Sequence, residues 1–326
     1  MDLFPFLVGL ALLFNFLNGF NDSSGIVATL ISSRALAPRL ALVLTALCEL
    51  AGPFLLGVAV AQTIGQVFAG PEGISVEILL AALLGAVAWN LFAWYFGIPS
   101  SSSHALVGGL VGAVSAGAGP ALIRPEGLLK VLLALFISPV LGLVVGFLLT
   151  RLIFFLARNA SNRINWFFKH GQALTAMGLA LGHGANDAPK TMGVITLALC
   201  IEGGLDEFHV PLWVILACTG AMALGTGIGG WRLIKRLSNS FYKIRPVHGF
   251  GTQVSAALVV LGAALLGGPV STTQVISSAL VGVGAADRVK KVRWGAAIDI
   301  VIAWVLTIPA AALVAAGACF LIRLLT

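Results

Sequence analysis

An acid, an amide and a base in the middle of a long apolar run constrain this chain more than anything else in it. From Gly182 to Met192 the sequence reads Gly-His-Gly-Ala-Asn-Asp-Ala-Pro-Lys-Thr-Met. Glycines at 182 and 184 loosen a helix, and Pro189 lacks the amide hydrogen that a helix interior uses. Asn186, Asp187 and Lys190 fall at membrane depth. A charge there costs about 2.5–3.5 kcal/mol or more, so such residues are rare and functional by default. A second stretch of the same kind stands early in the chain, Asn18-Gly19-Phe20-Asn21-Asp22-Ser23-Ser24-Gly25. Each predicts a helix broken in two, and two such breaks predict a binding site built twice, as in secondary transporters.

Composition supports the lipid reading. Of 326 residues, 59% are hydrophobic and only 10% charged, against about 25% charged in soluble domains. The net charge of +7 sits in short clusters between apolar runs, which is the pattern of cytoplasmic loops and not of a nucleic-acid-binding face. Cys48, Cys200, Cys218 and Cys319 are scattered singly in apolar sequence, without metal-ligand spacing. The N-terminal Met-Asp-Leu-Phe-Pro has no basic region or cleavage site, so no signal peptide is read.

The apolar runs fall into two series. Leu3–Ser33 holds the first break, Leu40–Val67 carries Glu49, and Ile78–Phe96 holds Asn90. A Ser-rich start at Ser100–Ser103 opens a glycine-rich run, and Leu128–Leu149 closes the series. The second series has the break within Ala173–Cys200, then Leu212–Gly230, Gly251–Leu266, a start at Ser271–Thr273, and Trp294–Ile322. Asn21-Asp22 aligns with Asn186-Asp187 at an offset of 165 (187 − 22). Pro99-Ser100-Ser101-Ser102-Ser103-His104 aligns with Pro269-Val270-Ser271-Thr272-Thr273-Gln274 at an offset of 170 (269 − 99), which also brings Gly112 onto Gly282. Two motifs in one order at nearly one offset indicate a duplication.

Loop charge orients the chain. Basic loops at Arg34–Arg39, Arg151–Lys169, Arg232–Arg245 and Asp287–Arg293 go to the cytoplasm, and acidic loops around Glu72, Glu77, Glu202, Asp206 and Glu207 go outside. Each half then has five crossings, an odd number, so the halves face opposite ways and both termini are external. The expected fold is an all-α polytopic membrane protein of two inverted repeats, with broken helices. Re-entrant hairpins are the alternative for the polar-start segments. The repeats are 1–157 and 171–326, joined by a basic linker at 158–170.

A proline followed by Ser/Thr marks a helix start, where unpaired N–H groups, the positive dipole end and hydroxyls together favour an anion. One such start from each half makes Ser101, Ser102, Ser103, Ser271, Thr272 and Thr273 candidate anion ligands. Asn21, Asp22, Asn186, Asp187 and Asn90 offer oxygens for a coupling cation, Na⁺ or H⁺, with Asp22 and Asp187 the ligands if the ion is Na⁺. Lys190 is either a salt-bridge partner of Asp187, three residues away, or a direct anion contact. Glu49 and Asp299 lack counterparts and are either cation ligands or partners of a buried base. His104 and His183 adjoin the motifs and read as proton relays or hydrogen-bonding residues of the interior. No His/Cys/Asp cluster suggests an enzyme.

At these residues the chain resembles the inorganic phosphate transporter family. The similar segments are Asn18–Pro38 (NGFNDSSGIVATLISSRALAP), Trp89–Ala113, Gly184–Leu199, Pro269–Gly284 and Ala303–Leu313. The resemblance implies cation-coupled import of inorganic phosphate, with no cofactor, by a homodimer in a bacterial or archaeal plasma membrane. By position it implies ligands at Asp22, Ser101–Ser103, Asn186, Asp187 and Ser271–Thr273. Sulfate carriers of the same family are the alternative, and an anion channel a more distant one. The family's first motif usually continues Ala-Asn-Ala where this chain has Ser23-Ser24-Gly25, and its second Ser/Thr motif often ends in His where this chain has Gln274.

Overall fold

The computed structural model describes residues 3–65, 73–98, 100–161, 163–231, 234 and 245–325. The described helices are α1 (Phe4–Ser32), α2 (Pro38–Leu56), α3 (Ala59–Gly65), α4 (Val76–Phe96), α5 (Ser102–Gly117), α6 (Pro125–Leu156), α7 (Ile164–Ile201), α8 (Leu212–Ile228), α9 (Pro246–Leu265), α10 (Thr272–Arg288) and α11 (Trp294–Leu325). No strand occurs among the described residues. Six of the helices are long and apolar enough to cross a membrane. Their large side chains face outward, as at Leu55, Phe155, Leu258 and Leu313, while the interior of the protein holds Asn15, Asn18, Asp22, Glu49, Asp187 and Lys190. That arrangement suits a solvent of hydrocarbon, in which polar groups have to find their partners inside.

Local chemistry sets the helix ends. Pro38, Pro125 and Pro246 open α2, α6 and α9, where the missing N–H costs nothing. Gly97 closes α4 in the left-handed conformation (φ 65°), which a residue with a Cβ adopts at a penalty. Gly57 (φ 83°) separates α2 from α3, dividing the stretch 40–67 that the sequence suggests as one span. Helix α7 begins at Ile164, so it takes in the last part of the expected linker 158–170. Glu72, Pro99, Arg232, Lys235, Arg236 and Lys243 lie outside the described residues.

The expected helix breaks are absent. Helix α1 runs unbroken through Asn18–Gly25, and α7 through Gly182–Met192 with Pro189 inside it. The polar residues satisfy themselves sideways: Ser23 and Ser24 donate back to the Phe20 and Asn21 carbonyls, and both aspartates bond to other helices. The glycines serve close approach and not unwinding. A methyl on Gly19 would lie 2.1 Å from the Met222 carbonyl oxygen of α8, and one on Gly184 would lie 2.1 Å from that of Glu49 on α2. Small residues let backbones touch in lipid, where no hydrophobic force draws helices together.

Helix contacts come in pairs. Helix α1 packs on α8 as α7 packs on α2, α5 on α11 as α10 on α6, and α4 on α1 as α9 on α7. The glycines repeat the pattern. Gly19 and Gly225 line one crossing, Gly184 and Gly52 its counterpart. Gly108 and Gly112 face the Ile308 and Ala312 carbonyls of α11, while Gly282 faces that of Leu143 on α6.

Two helical hairpins place the site. Helix α4 ends at Gly97 close to the start of α5 at Ser102, and α9 turns at 266–271 into α10. The starts of α5 and α10 do not lie level with the ends of α1 and α7. They meet those helices at Asp22 and Asp187, in mid-helix. Both hairpin tips therefore reach the centre of the protein.

Candidate functional site

The two aspartates converge. Oxygens of Asp22 and Asp187 and a ring nitrogen of His183, all three residues buried, lie within 4.8 Å of one another. Each carboxylate is held by hydroxyls at the hairpin tips. The Ser102 hydroxyl of α5 donates to Asp22 Oδ2 at 2.9 Å, and the Thr273 hydroxyl of α10 to Oδ1 at 2.7 Å. Ser102 Oγ also lies 2.9 Å from the Asn18 side-chain oxygen. One hydroxyl proton cannot serve two acceptors, so the Asn18 amide turned to donate completes this set.

Around Asp187 the arrangement is similar with one substitution. Thr272 donates to Oδ2 at 2.8 Å, and the Lys190 ammonium contacts Oδ1. Lys190 Nζ then donates to Ser103 Oγ at 2.6 Å and to the Val270 carbonyl at 2.5 Å. The salt bridge is thus present, and the same ammonium also ties α7 to both tips. The tips touch each other directly through Ser101 and Ser271 hydroxyls, 2.8 Å apart. Ser101 caps α5 by accepting from the His104 amide at 3.1 Å, and the Gln274 amide nitrogen lies 3.1 Å from His104 Nδ1.

His183 is wedged between acids. Its Nδ1 lies 2.7 Å from Glu49 Oε1, in hydrogen-bond geometry. Its Nε2 stands 2.8 Å from Asp187 Oδ2 without the alignment of a hydrogen bond, and 4.0 Å from Asp22 Oδ2. Thr226 of α8 donates to the other Glu49 oxygen at 2.5 Å. Glu49 is therefore the partner of a buried histidine, whereas Asp299 is exposed on α11.

The asparagines divide. Asn186 is occupied with the turn before α10, donating to the Gly268 carbonyl at 2.8 Å and accepting from the Val270 amide at 3.1 Å. Its counterpart Asn21 has an unpartnered side-chain oxygen, and the buried Asn90 an unpartnered side-chain nitrogen. Both line a cavity of about 20 Å³ together with Asp22, Ser24, Ser100, Ser102 and Thr273, room for one water-sized guest.

The site therefore joins two helix starts rich in N–H and hydroxyl donors to two carboxylates. The profile of the Phosphate transporter family matches residues 18–166 and 155–315. The chain belongs to that family. A probable low-affinity inorganic phosphate transporter of Rhizobium meliloti (strain 1021) is 45% identical over 318 residues, 96% of this chain and 95% of the relative. One of the same description from Bacillus subtilis (strain 168) is 43% identical over 97% of this chain and 96% of its own length. Among solved structures, the sodium-dependent phosphate transporter superposes with a TM-score of 0.91 at 24% identity, covering all of both chains, which establishes a shared fold. Like its relatives in the phosphate transporter family, the chain is a multi-pass membrane protein of the bacterial type and a transporter, not an enzyme.

Of the residues singled out in the sequence, Asp22, Ser102 and Thr273 form one bonded group and Asp187, Thr272, Lys190 and Ser103 a second, with His183 between them. Ser101 and Ser271 join the tips. Asn21 and Asn90 line the cavity beside Asp22, while Asn186 braces a turn. Asn18 and Thr226 escape sequence reasoning. Asn18 was within reach, because it lies one helical turn before Asp22 on the same face of α1.

Proposed function

We propose that this chain imports inorganic phosphate by coupling it to a cation, Na⁺ or H⁺, through alternating access. The observation that carries the reading is the bonding of both buried aspartates to hydroxyls at two touching helix starts. Ser102 and Thr273 have one proton each, and both now point at Asp22. A cation taking the Asp22 oxygens frees those hydroxyls to turn to an oxyanion between the tips. The backbone N–H groups of the α5 and α10 starts add further donors. Each bound species thus favours the other, which is what symport needs. Phosphate near neutral pH still carries a proton that a carboxylate can accept, whereas sulfate offers none.

The paired helix contacts and the offsets of 165 and 170 support inverted repeats at 1–157 and 171–326, with α4–α5 and α9–α10 as re-entrant hairpins reaching the membrane centre. Rocking of one repeat against the other then exposes the tips to each side in turn. A homodimer in the lipid bilayer is the proposed assembly. The test is uptake into proteoliposomes. Cation-stimulated phosphate uptake that excess sulfate leaves intact is the expected result, with Asp22→Asn and Asp187→Asn each nearly abolishing it in folded protein. Preferential uptake of sulfate, or wild-type uptake by both variants, overturns the reading.

A further inference from the structure

The two halves differ at one aligned place: a buried ammonium on the α7 side and a small cavity on the α1 side. On the α7 side, Lys190 Nζ is surrounded by oxygens alone: a carboxylate of Asp187, the hydroxyl of Ser103 and the carbonyl of Val270. Carboxylate, hydroxyl and backbone carbonyl are the ligands that a small hard cation takes. The ammonium is buried, with 3% of its side chain exposed.

The alignment carries each of these groups to the α1 side. Asp187 falls on Asp22, Ser103 on Thr273 and Val270 on Ser100, while Lys190 itself falls on Gly25. Asp22, Thr273 and Ser100 are together in the structure, and they line the 20 Å³ cavity. A glycine thus stands opposite the lysine, and a cavity stands opposite its ammonium. The hydrogen bonds differ in the matching way. Thr273 donates directly to Asp22, but between the corresponding Ser103 and Asp187 the ammonium is interposed. Two further side chains beside the cavity have unpartnered polar atoms, the oxygen of Asn21 and the nitrogen of the 98%-buried Asn90 (2% exposed).

We infer that Lys190 is a tethered cation: its ammonium permanently fills the α7-side position that a free monovalent cation would otherwise occupy, so only the α1-side position exchanges ions during transport. This rests on the cation-coupled reading above and extends it to the number of ions. A tethered charge returns with the protein in each cycle. It therefore offsets Asp187 without adding to the charge delivered with each anion. Removing the lysine opens a second exchangeable position.

The test compares wild type with Lys190→Gly, which copies Gly25, in proteoliposomes with Na⁺ exchanged for choline. Lys190→Gly is expected to lose uptake at low Na⁺ and regain it at high Na⁺, with a steeper Na⁺ dependence than wild type. The charge moved per phosphate, read from the reversal potential at high Na⁺, is expected to rise by one elementary charge. Thermal unfolding supplies a readout independent of transport: the variant should gain more melting temperature from Na⁺ than wild type does. If Lys190→Gly is too unstable to isolate, Lys190→Gln combined with Asp187→Asn removes both charges. That double variant should show no extra dependence of stability on Na⁺. An unchanged charge per phosphate in active Lys190→Gly overturns the inference, as does a folded single variant that Na⁺ neither stabilises nor reactivates. So does extra Na⁺ stabilisation in the double variant. Cation-independent uptake by the wild type would instead overturn the coupling itself, so the two failures are told apart.

Discussion

Replacing Gly184 by alanine is the sharpest test of how the site is held. Its new methyl would meet the Glu49 carbonyl oxygen at 2.1 Å and the Glu49 Cα at 2.7 Å, well inside the 3.4 Å at which ordinary contact begins. The obstacle is backbone, so no rotamer relieves it, and α2 has to move away from α7 by more than an ångström. Overpacking of this kind costs roughly 1–3 kcal/mol, which corresponds to several degrees of melting temperature. The movement is functional as well, because the Glu49 side chain lies 2.7 Å from His183, the neighbour of Gly184. Gly178, in the same helix, provides the control, since nothing lies within 4 Å of a methyl placed there. Gly178→Ala should be neutral or stabilising by up to about 1 kcal/mol, because alanine loses less backbone entropy. Melting of both variants in one detergent, with phosphate uptake measured in parallel, separates them. If Gly184→Ala melts and transports like Gly178→Ala, the close crossing of α2 and α7 does not exist in the protein.

Glu49→Gln keeps the shape and lets Thr226 turn its proton to the Gly19 carbonyl, 3.1 Å away. It removes one charged hydrogen bond to His183, worth about 1.5–3 kcal/mol, and should slow uptake at least tenfold in stable protein; an unaltered rate rejects a role for the Glu49–His183 pair. Ser102→Ala and Thr272→Ala each remove one hydroxyl, worth about 0.5–1.5 kcal/mol. The apparent KM for phosphate should rise by roughly 2- to 13-fold, and an effect confined to kcat would argue against anion binding at the tips. For topology, single cysteines at Glu207 and Arg158, in a background lacking Cys200, should react with an impermeant thiol reagent from outside and from inside respectively. Labelling of both from one face contradicts the orientation taken from loop charge.

Much of the site was legible because lipid makes polar residues conspicuous. Asp22, Asp187, Lys190 and the two Ser/Thr runs stand out from apolar surroundings, and their spacing repeats. Helix continuity was not legible. A glycine beside an asparagine in an apolar run reads as a break when only neighbours in sequence are available as partners. In the fold the partners of Asp22 are Ser102 and Thr273, 80 and 251 residues away, and Gly19 is needed by Met222 of α8. Glu49 announced itself as a buried charge, but its histidine is 134 residues distant. Only the three-dimensional crossing of α2 and α7 pairs them.

Where the halves agree and where they differ are separate kinds of information. They agree in mechanical features: glycine crossings, hairpin lengths, the tip contact of Ser101 with Ser271, and hydroxyls on each aspartate. A movement that opens one face and then the other needs that equivalence, because the same contacts must break on each side in turn. They differ in charge and donor chemistry. Lys190 faces a glycine counterpart, His104 faces Gln274, the amide of Asn186 is engaged where that of Asn21 retains a bare oxygen, and Glu49 has no acidic counterpart in the second half. A site of full two-fold symmetry would bind the same ions on both flanks of the anion and would leave two carboxylates to be neutralised from solution in every cycle. On the proposed reading, with one flank neutralised from within, the transported cation is committed to the α1 side, beside Asn21, Asp22 and Asn90. In that proposal duplication supplies the motion, and the substitutions since then supply the stoichiometry.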